Sequence, residues 1–458
     1  MSHRKKIAVL FLVFLVSRLI VLFCVTAPQD VLLYARYAYE ARLASHSSQF
    51  HSVYDIHPVF NHALREQGLR IPAENDHVEY PPLAIWGLGV LQHAIPESAS
   101  QELFVARYVL LFRGLLFVFD ALVYSGVLCL LKQEKRLPNA MVKGAVVYSV
   151  LGALLAPILY NRLDLIMAAI IFFSYFFLTR KRVFLSFFFL VVSIHVKLIS
   201  LFLLPIWSIY SLFQQKRYQK DSRMFLGRRE WLKFSALFVY RLLAGGVGVF
   251  LGMLPFYFFY GPAVLDFFAF HAKRGVHIES LYGTILMLFE GQAVLRYGAL
   301  EWVSEWAPLY ASLSVILIAA MTVWVTVLLC WKGVVSHWAD SESFFLQYTV
   351  LLLLTLLLFS KVLSPQYFIW LIPFLAIWSA NQNGFSMVTM VCLYGLTTLI
   401  YPVLYFDHIF IVRHGQFHDP SLLGKLALLF RNGMLAAWVL VLLFRAHRGV
   451  VLMRNGRS

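Results

Sequence analysis

The chain contains 458 residues, of which 60% are hydrophobic and only 14% are charged. A soluble domain usually carries about 25% charged residues, so this composition excludes a soluble globular protein. The mean hydropathy of +0.74 and the apolar runs along the whole length predict one polytopic membrane domain over residues 1–458. The net charge of +16 is therefore interpreted through its position relative to the membrane, and no nucleic-acid partner is expected.

We predict an all-α polytopic bundle of about twelve transmembrane helices. The apolar runs cover residues 7–26, 103–131, 141–160, 163–179, 183–197, 198–213, 234–259, 309–331, 344–360, 367–380, 385–405 and 421–444. The shortest of these runs are marginal for a hydrocarbon core of about 30 Å. The four cysteines lie inside apolar runs without paired spacing, so we interpret them as small apolar side chains and not as disulfides or metal ligands.

The orientation of the chain in the membrane is predicted from the loop charges, which the hydropathy pattern does not use. The segments assigned to the inside, 1–6, 132–139, 180–182, 214–233, 332–343 and 445–458, together carry 21 basic and 5 acidic residues. The positive-inside rule therefore predicts that both termini are cytoplasmic. A bacterial plasma membrane is the preferred location, although the endoplasmic reticulum would give the same pattern with the lumen outside.

Two long outer loops, 28–102 and 260–308, and one basic inner loop, 214–233, stand out in this topology. The inner loop is expected to bind anionic lipid heads. In the first outer loop, 29–44 is amphipathic and 83–95 is apolar for only thirteen residues. The segment 83–95 predicts an interfacial or re-entrant helix and not a membrane crossing, and 29–44 is expected to lie along the outer membrane surface.

Several ionisable residues lie in or beside apolar runs, where a charge costs at least ~2.5 kcal/mol and commonly marks a functional cavity. Arg113 and Asp120 are seven residues apart on one helix face, and they either face a functional cavity or serve the structure, through an internal ion pair or links to neighbouring helices. Arg162 and Asp164 are two residues apart and should find separate partners. Lys197 ends a span, where it either faces a cavity or snorkels to the surface.

Cations and histidines concentrate in the predicted outer regions. The segment 271–280 contains His271, Lys273, Arg274, His277 and Glu279, and Lys361 closes another span. If these side chains converge, they form a cationic pocket for the phosphate of a lipid-linked ligand, because Arg and Lys bind phosphate well where water is scarce.

Asp30 follows the first span directly. One interpretation is an ordinary helix N-cap, since the Asp comes two residues after Pro28 and opens a helix. The other is a general base for sugar transfer, which needs one group to take the acceptor proton and another to stabilise the leaving phosphate. The two roles are compatible.

Several segments, in their order along residues 7–445, resemble glycosyltransferase family 87, a branch of the C-type integral-membrane glycosyltransferases that use polyprenyl-phosphate sugars. Besides Asp30 and Lys197, the matching segments are Glu79-Tyr80-Pro81-Pro82-Leu83, Asn161-Arg162-Leu163-Asp164, Arg274-Gly275-Val276-His277-Ile278-Glu279-Ser280 and Ser364-Pro365-Gln366-Tyr367.

The resemblance implies an inverting transfer at the outer face, with Asp30 as general base and a hexose, mannose favoured, passing to a lipid or glycan acceptor. It implies that Arg274, Lys361 and Lys197 hold the donor phosphate. Pocket-shaping roles are expected for the remaining polar residues of these segments: Glu79, Tyr80, Arg162, Asp164, His271, His277, Glu279 and Gln366. Asp30 stands between Gln29 and Val31, so a divalent cation would lack carboxylate ligands, and we predict neither a metal nor a cofactor.

Two other functions are weighed against this one. A transporter or flippase of a lipid-linked or charged solute would also use Arg113, Asp120, Arg162 and Asp164, although the sequence shows no paired inverted repeats. A non-catalytic membrane scaffold would leave the buried ionisable groups without a purpose.

Overall fold

The computed structural model describes residues 3–24, 29–49, 51–67, 76–133, 139–214, 228–289, 292–336, 341–380, 382, 384–413 and 416–455. Within these residues the chain is mainly helical. Seven helices are long and apolar enough to cross a membrane, and four more apolar helices have 10–17 residues. The prediction of a helical membrane protein is confirmed at this level, whereas the count of about twelve crossings stays a prediction.

The first half of the described chain contains ten α-helices. They are α1 (His3–Cys24), α2 (Gln29–Ser45), α3 (Val53–Glu66), α4 (Pro82–Val90), α5 (Gln101–Gln133), α6 (Ala140–Leu154), α7 (Ala156–Leu159), α8 (Asp164–Thr179), α9 (Val183–Val196) and α10 (Leu204–Phe213). A 3-10 turn, Leu91–Ala94, extends α4, and another, Leu198–Leu203, leads into α10.

The second half adds eight α-helices and five short strands. The helices are α11 (Arg228–Tyr260), α12 (Asp266–Lys273), α13 (Leu281–Leu286), α14 (Ala307–Ser336), α15 (Ser341–Phe359), α16 (Ile372–Ser379), α17 (Gly384–Thr398) and α18 (Leu422–Asn455). The 3-10 turn Gly261–Leu265 precedes α12, the 3-10 turn Pro365–Leu371 precedes α16, and a π-helical segment, Leu399–Ile409, follows α17.

The second long loop contains a small sheet that the all-α prediction missed. Strands β1 (Val276–His277) and β2 (Gln292–Arg296) both pair antiparallel with the central strand β3 (Ala299–Val303). Tyr297 and Gly298, with φ of 49° and 72°, join β2 to β3 in a two-residue hairpin. Such hairpins need positive φ at both positions, which Gly298 adopts without strain. Strands β4 (Ile411–Arg413) and β5 (Gln416–His418) form a second hairpin.

The amphipathic segment in the first long loop is buried inside the protein. It forms α2, which packs on α3, α4 and α5, and Val31, Tyr34 and Ala35 are fully buried. The expected short apolar helix is α4 with its 3-10 extension. Most of the basic loop 214–233, and with it the lipid-binding expectation, lies outside the described residues.

Charged residues within the helices contact neighbouring helices, which decides between the two interpretations of Arg113 and Asp120. Asp120 on α5 pairs with Arg18 on α1, with 2.5 Å between Oδ2 and Nε. The Asp120 carboxylate also accepts hydrogen bonds from Tyr148 (2.6 Å) and Tyr160 (2.8 Å). Because every partner comes from another element, this buried cluster joins α1, α5, α6 and the turn after α7.

Candidate functional site

A cavity of about 550 Å³ contains most of the residues that the sequence singled out. Polar and charged side chains form a large part of its wall: Asp30, Arg36, His57, Asn61, His77, Glu79, Arg162, Lys197, His271, Arg274, His277, Glu279, Ser364 and Gln366. These residues come from α2, α3, α12, β1 and several loops, so the cavity forms only when the two long loops fold against the helices.

Asp30 lies in the first turn of α2, and its carboxylate forms an ion pair with Arg162 through Oδ2 and Nη1. The structure therefore places Asp30 inside the helix and not at its N-cap, where its negative charge interacts favourably with the helix dipole. Its side chain is 25% exposed and lines the cavity. The ion pair fixes one carboxylate oxygen and leaves Oδ1 for another partner.

The turn before α8 presents Arg162 to Asp30 and is itself held at three positions. Tyr160 donates to Asp120 at 2.8 Å, and Arg113 Nη2 donates to Asn161 Oδ1 at 2.8 Å. The Leu163 amide donates to the Tyr34 hydroxyl at 3.4 Å. Arg113 and Asp120 thus support the turn that carries Arg162 through these contacts.

Lys197 and Asp164 form the second ion pair at the cavity, as expected from the separate partners predicted for Arg162 and Asp164. Lys197 Nζ lies 2.7 Å from Asp164 Oδ1, which also accepts the Trp370 indole N–H at 2.7 Å. The ammonium lies 4.7 Å from the Tyr367 ring centroid and 5.3 Å from that of Trp370, within cation–π range. The Lys197 side chain is 17% exposed and faces the cavity, whereas Asp164 is buried behind it.

Arg274 also lines the cavity and lies beside a buried carboxylate. Its Nε is 3.6 Å from Glu301 Oε1, beyond hydrogen-bond distance, and Glu301 Oε2 accepts the Gly275 amide at 3.0 Å. Burial raises the pKa of Glu301, although Arg274 partly counters this. The loose pairing leaves Arg274 able to bind a ligand anion.

Lys361 supports the site from outside the cavity wall. Its Nζ donates to the main-chain carbonyl of Arg274 at 2.6 Å, and its own carbonyl accepts the His277 amide at 2.9 Å. It is not one of the described residues that line the cavity. The geometry therefore supports a positioning role for Lys361, whereas Lys197 and Arg274 reach the cavity directly.

His277 and Glu279 are fixed by contacts to the protein. His277 Nδ1 donates to the Leu363 carbonyl at 2.8 Å, and burial together with Arg274 lowers its pKa to about 3, so the imidazole is neutral. Glu279 pairs with Arg431 of α18 at 2.8 Å, although burial raises its pKa. Both residues line the cavity, as do His271 and Gln366. The Ser364 hydroxyl donates a hydrogen bond to the Gln366 side-chain carbonyl.

Glu79 and Tyr80 lie on the wall as the sequence suggested. Burial raises the pKa of Glu79, while the nearby charges of Arg274 and Lys197 act in the opposite direction. The Tyr80 hydroxyl lies 3.2 Å from the Tyr34 hydroxyl. Glu79 is therefore an acidic group that faces the same cations as a bound phosphate would.

Sequence reasoning missed a polar group on α2 and α3. Arg36 pairs with Glu40 at 2.7 Å, Glu40 contacts His57 Nδ1 at 2.8 Å, and Asn61 Nδ2 lies 3.2 Å from His57 Nε2. Each helix carries its two residues four positions apart, a spacing that places them on one face. The spacing could have indicated one polar face on each helix, but nothing in the sequence indicates that α2 packs against α3.

Sequence reasoning also missed an aromatic section of the wall. It consists of Tyr401, Tyr405, Phe406 and Phe410, from the π-helical segment and the residue after it. Phe406 is 49% exposed, so this section extends from the cavity to the protein surface.

Comparison with known proteins gives no family assignment. No protein-family model matches the chain, and no curated protein matches it.

Proposed function

We propose that the protein is an inverting glycosyltransferase that moves a hexose from a polyprenyl-phosphate donor to an acceptor hydroxyl at the non-cytoplasmic face of a membrane. The observation that carries this proposal is that Asp30, Lys197 and Arg274 line one cavity of about 550 Å³. A carboxylate and two cations at a common opening provide both the base and the phosphate-binding groups that this reaction requires.

The donor phosphate fits beside Arg274 and Lys197. The Arg274 guanidinium is only loosely paired, at 3.6 Å from Glu301, and the Lys197 ammonium faces the cavity above the rings of Tyr367 and Trp370. A cation in such a partly desolvated site binds an anionic oxygen more strongly than it does in water. The same contacts stabilise the charge that grows on the phosphate as it leaves.

The apolar tail of the donor fits the aromatic section of the wall. Tyr401, Tyr405, Phe406 and Phe410 are continuous from the cavity toward the exterior. Either the bacterial plasma membrane or the membrane of the endoplasmic reticulum would supply such a lipid carrier. The acceptor would then enter the cavity from the side opposite the aromatic section.

Asp30 acts as the general base. Its Oδ1 takes the proton from the acceptor hydroxyl as the acceptor oxygen forms a bond to the anomeric carbon. The bond between that carbon and the phosphate oxygen breaks, the polyprenyl phosphate leaves with the electron pair, and the anomeric configuration inverts. Arg162 holds Oδ2, so the carboxylate keeps the orientation that this transfer needs.

The transporter alternative loses its main motivation in this arrangement. Arg113 contacts Asn161, and Asp120 pairs with Arg18 and two tyrosines. Arg162 forms an ion pair with Asp30, and Asp164 forms an ion pair with Lys197. These contacts account for the four charged residues without a solute pathway.

Replacing Asp30 tests the proposal. Asp30→Asn keeps the size of the side chain and removes the base, and Asp55→Asn, an exposed position on α3 outside the cavity wall, is the matched control. Transfer of labelled hexose from a polyprenyl-phosphate donor to a membrane-lipid extract is measured with purified, folded protein. We expect loss of at least about a hundredfold in Asp30→Asn, as for removal of a general base, and no change in Asp55→Asn.

Two results contradict the proposal. Turnover near that of the wild type in Asp30→Asn would end the assignment of the base. Vectorial movement of a labelled lipid-linked sugar by reconstituted protein, without formation of a new glycosidic bond, would favour the transporter.

A further inference from the structure

The polar group on α2 and α3 consists of Arg36, Glu40, His57 and Asn61. Arg36, His57 and Asn61 line the cavity, whereas Glu40 is fully buried behind them. The Glu40 carboxylate binds Arg36 Nε through Oε1 (2.7 Å) and His57 Nδ1 through Oε2 (2.8 Å). One buried carboxylate therefore fixes two side chains of the cavity wall.

The hydrogen-bond roles follow from the chemistry of the four groups. A carboxylate only accepts, so His57 Nδ1 carries a proton, and an amide nitrogen only donates, so His57 Nε2 accepts from Asn61. The charge of Arg36 is balanced by the Glu40 carboxylate.

One donor in this group has no protein partner. Arg36 Nη2 is buried and makes no hydrogen bond within the described part of the chain, although Nε of the same guanidinium is bound to Glu40. A buried guanidinium nitrogen without a partner is costly. The Arg36 side chain is 24% exposed and lines the cavity, so a ligand oxygen that draws the guanidinium toward it gains a hydrogen bond that the empty protein lacks.

Arg36 of this polar group lies on the same helix, α2, as the proposed base Asp30. Arg36 follows Asp30 by six residues, which is about 9 Å at 1.5 Å per residue. Leu33 between them and Tyr37 directly after Arg36 also line the cavity, so this face of α2 forms one continuous wall. The distance matches the length of one or two sugar rings extending away from a hydroxyl at Asp30.

We propose that Arg36, His57 and Asn61 form the acceptor subsite, and that it takes a neutral, hydroxyl-rich ligand such as a glycosyl group. This inference rests on the proposed function, because it assigns the second substrate of the same cavity. The balanced charge disfavours an anionic acceptor, while fixed donors and acceptors suit sugar hydroxyls. A phosphate would instead bind at Lys197 and Arg274.

Equilibrium binding separates this inference from the proposed function, because it requires no turnover. Protein in lipid nanodiscs is titrated with hexyl glucoside, hexyl galactoside and hexyl mannoside below their micelle concentrations, and with hexyl mannoside 6-phosphate. Farnesyl phosphate is titrated separately as a probe of the donor phosphate site. The variants are Arg36→Gln and His57→Gln, and the control is His62→Gln, on the same helix with a side chain 70% exposed.

We expect at least one neutral glycoside to bind the wild type, with an affinity about tenfold lower in Arg36→Gln and His57→Gln and unchanged in His62→Gln. Tenfold corresponds to about 1.4 kcal/mol, the size of one hydrogen bond to a charged or buried group. Farnesyl phosphate should bind all four proteins equally, which also shows that the variants are folded.

Three results overturn the subsite: no binding of any neutral glycoside, equal glycoside affinity in wild type and both variants, or tighter binding of the phosphorylated mannoside than of the neutral one. Failure of farnesyl phosphate to bind the wild type contradicts the donor site of the proposed function instead. The two inferences therefore fail on different measurements.

Discussion

The Asp30 carboxylate on α2 forms an ion pair with the Arg162 guanidinium in the turn before α8. The pair joins the first long loop to the helical bundle, and it uses one carboxylate oxygen while the other remains available. Arg162 itself depends on Tyr160 and Asn161, which bind Asp120 and Arg113. The orientation of the proposed base is thus set by buried contacts deep in the bundle.

Replacing Arg162 should reduce turnover more than substrate affinity. Arg162→Gln frees Asp30 to change its rotamer, and misplacement of a catalytic group by about 1 Å costs roughly a hundredfold in rate. Arg162→Lys should recover part of the loss because it keeps the charge. The measurement is kcat and KM for hexose transfer, with Arg107→Gln, an exposed position on α5, as control. An unchanged kcat in Arg162→Gln would contradict the positioning role.

The sequence predicted which segments meet at the site more successfully than which side chains pair there. Hydropathy and composition were sufficient for a helical membrane protein, because apolar runs report burial directly. The segments containing Asp30, Arg162 and Lys197 were recognised by residue type and position near the ends of spans, and the segment containing Glu79 by its resemblance to the family. Each of these residues lines the cavity.

Specific pairings could not be predicted because they depend on how distant elements pack. Asp30 could have capped its own helix, and only the position of the turn before α8 gives it Arg162. Lys361 was expected to bind phosphate from its charge and from the family resemblance, but the fold directs its ammonium to the Arg274 carbonyl. The small sheet was missed because its strands have at most five residues, too short for a periodic signal.

Removing Lys197 should destabilise the protein, because Asp164 would be left as a buried charge. The Asp164 side chain is 1% exposed, and loss of one partner from such a pair costs about 3–5 kcal/mol. Because Lys197 is partly exposed, we expect the cost in unfolding free energy to lie at the lower end of this range. We expect Lys197→Met to lower the unfolding free energy in detergent by about 3 kcal/mol.

The double variant Lys197→Met/Asp164→Asn checks the cause of this loss. If the uncompensated carboxylate is responsible, the double variant is more stable than Lys197→Met alone, and the cycle shows strong coupling. Strictly additive losses would mean that the two residues act independently.

The Arg18–Asp120 pair can be tested without touching either charge. A Cβ at Gly152 would lie 2.6 Å from Arg18 Nη1 and 2.7 Å from Nη2. Arg18 cannot move aside freely because Asp120 binds Nε and Nη2, so Gly152→Ala should cost about 1–3 kcal/mol of unfolding free energy. Transfer activity should fall as well, since Asp120 also holds Tyr160 beside Arg162.

Gly114→Ala is the matched control for this prediction. Gly114 lies within α5, and a Cβ there meets no atom within 4 Å. Alanine should therefore keep or slightly raise stability, by up to about 1 kcal/mol from helix propensity. Equal stability of Gly152→Ala and Gly114→Ala in chemical unfolding would show that the pair tolerates displacement.

Glu79 gives the anion site a pH dependence whose sign is fixed by its surroundings. Burial raises the pKa of Glu79, with Arg274 and Lys197 opposing the shift. Between the ordinary carboxyl pKa and this raised value, Glu79 stays protonated and leaves both cations to a ligand. At higher pH its negative charge competes with a bound phosphate for the same cations.

Farnesyl phosphate should therefore bind wild-type protein progressively less well than Glu79→Gln as the pH rises through the raised pKa. The phosphate monoester also ionises, with a second pKa near 6, so the ratio of the two Kd values at each pH is measured and the ligand's own titration cancels. We expect a ratio of wild type to Glu79→Gln near one in acid that increases with pH. Glu66→Gln, whose side chain is 69% exposed on α3, should follow the wild type throughout. A ratio independent of pH would mean that Glu79 does not face the phosphate site, and the cations would then need another explanation for their position.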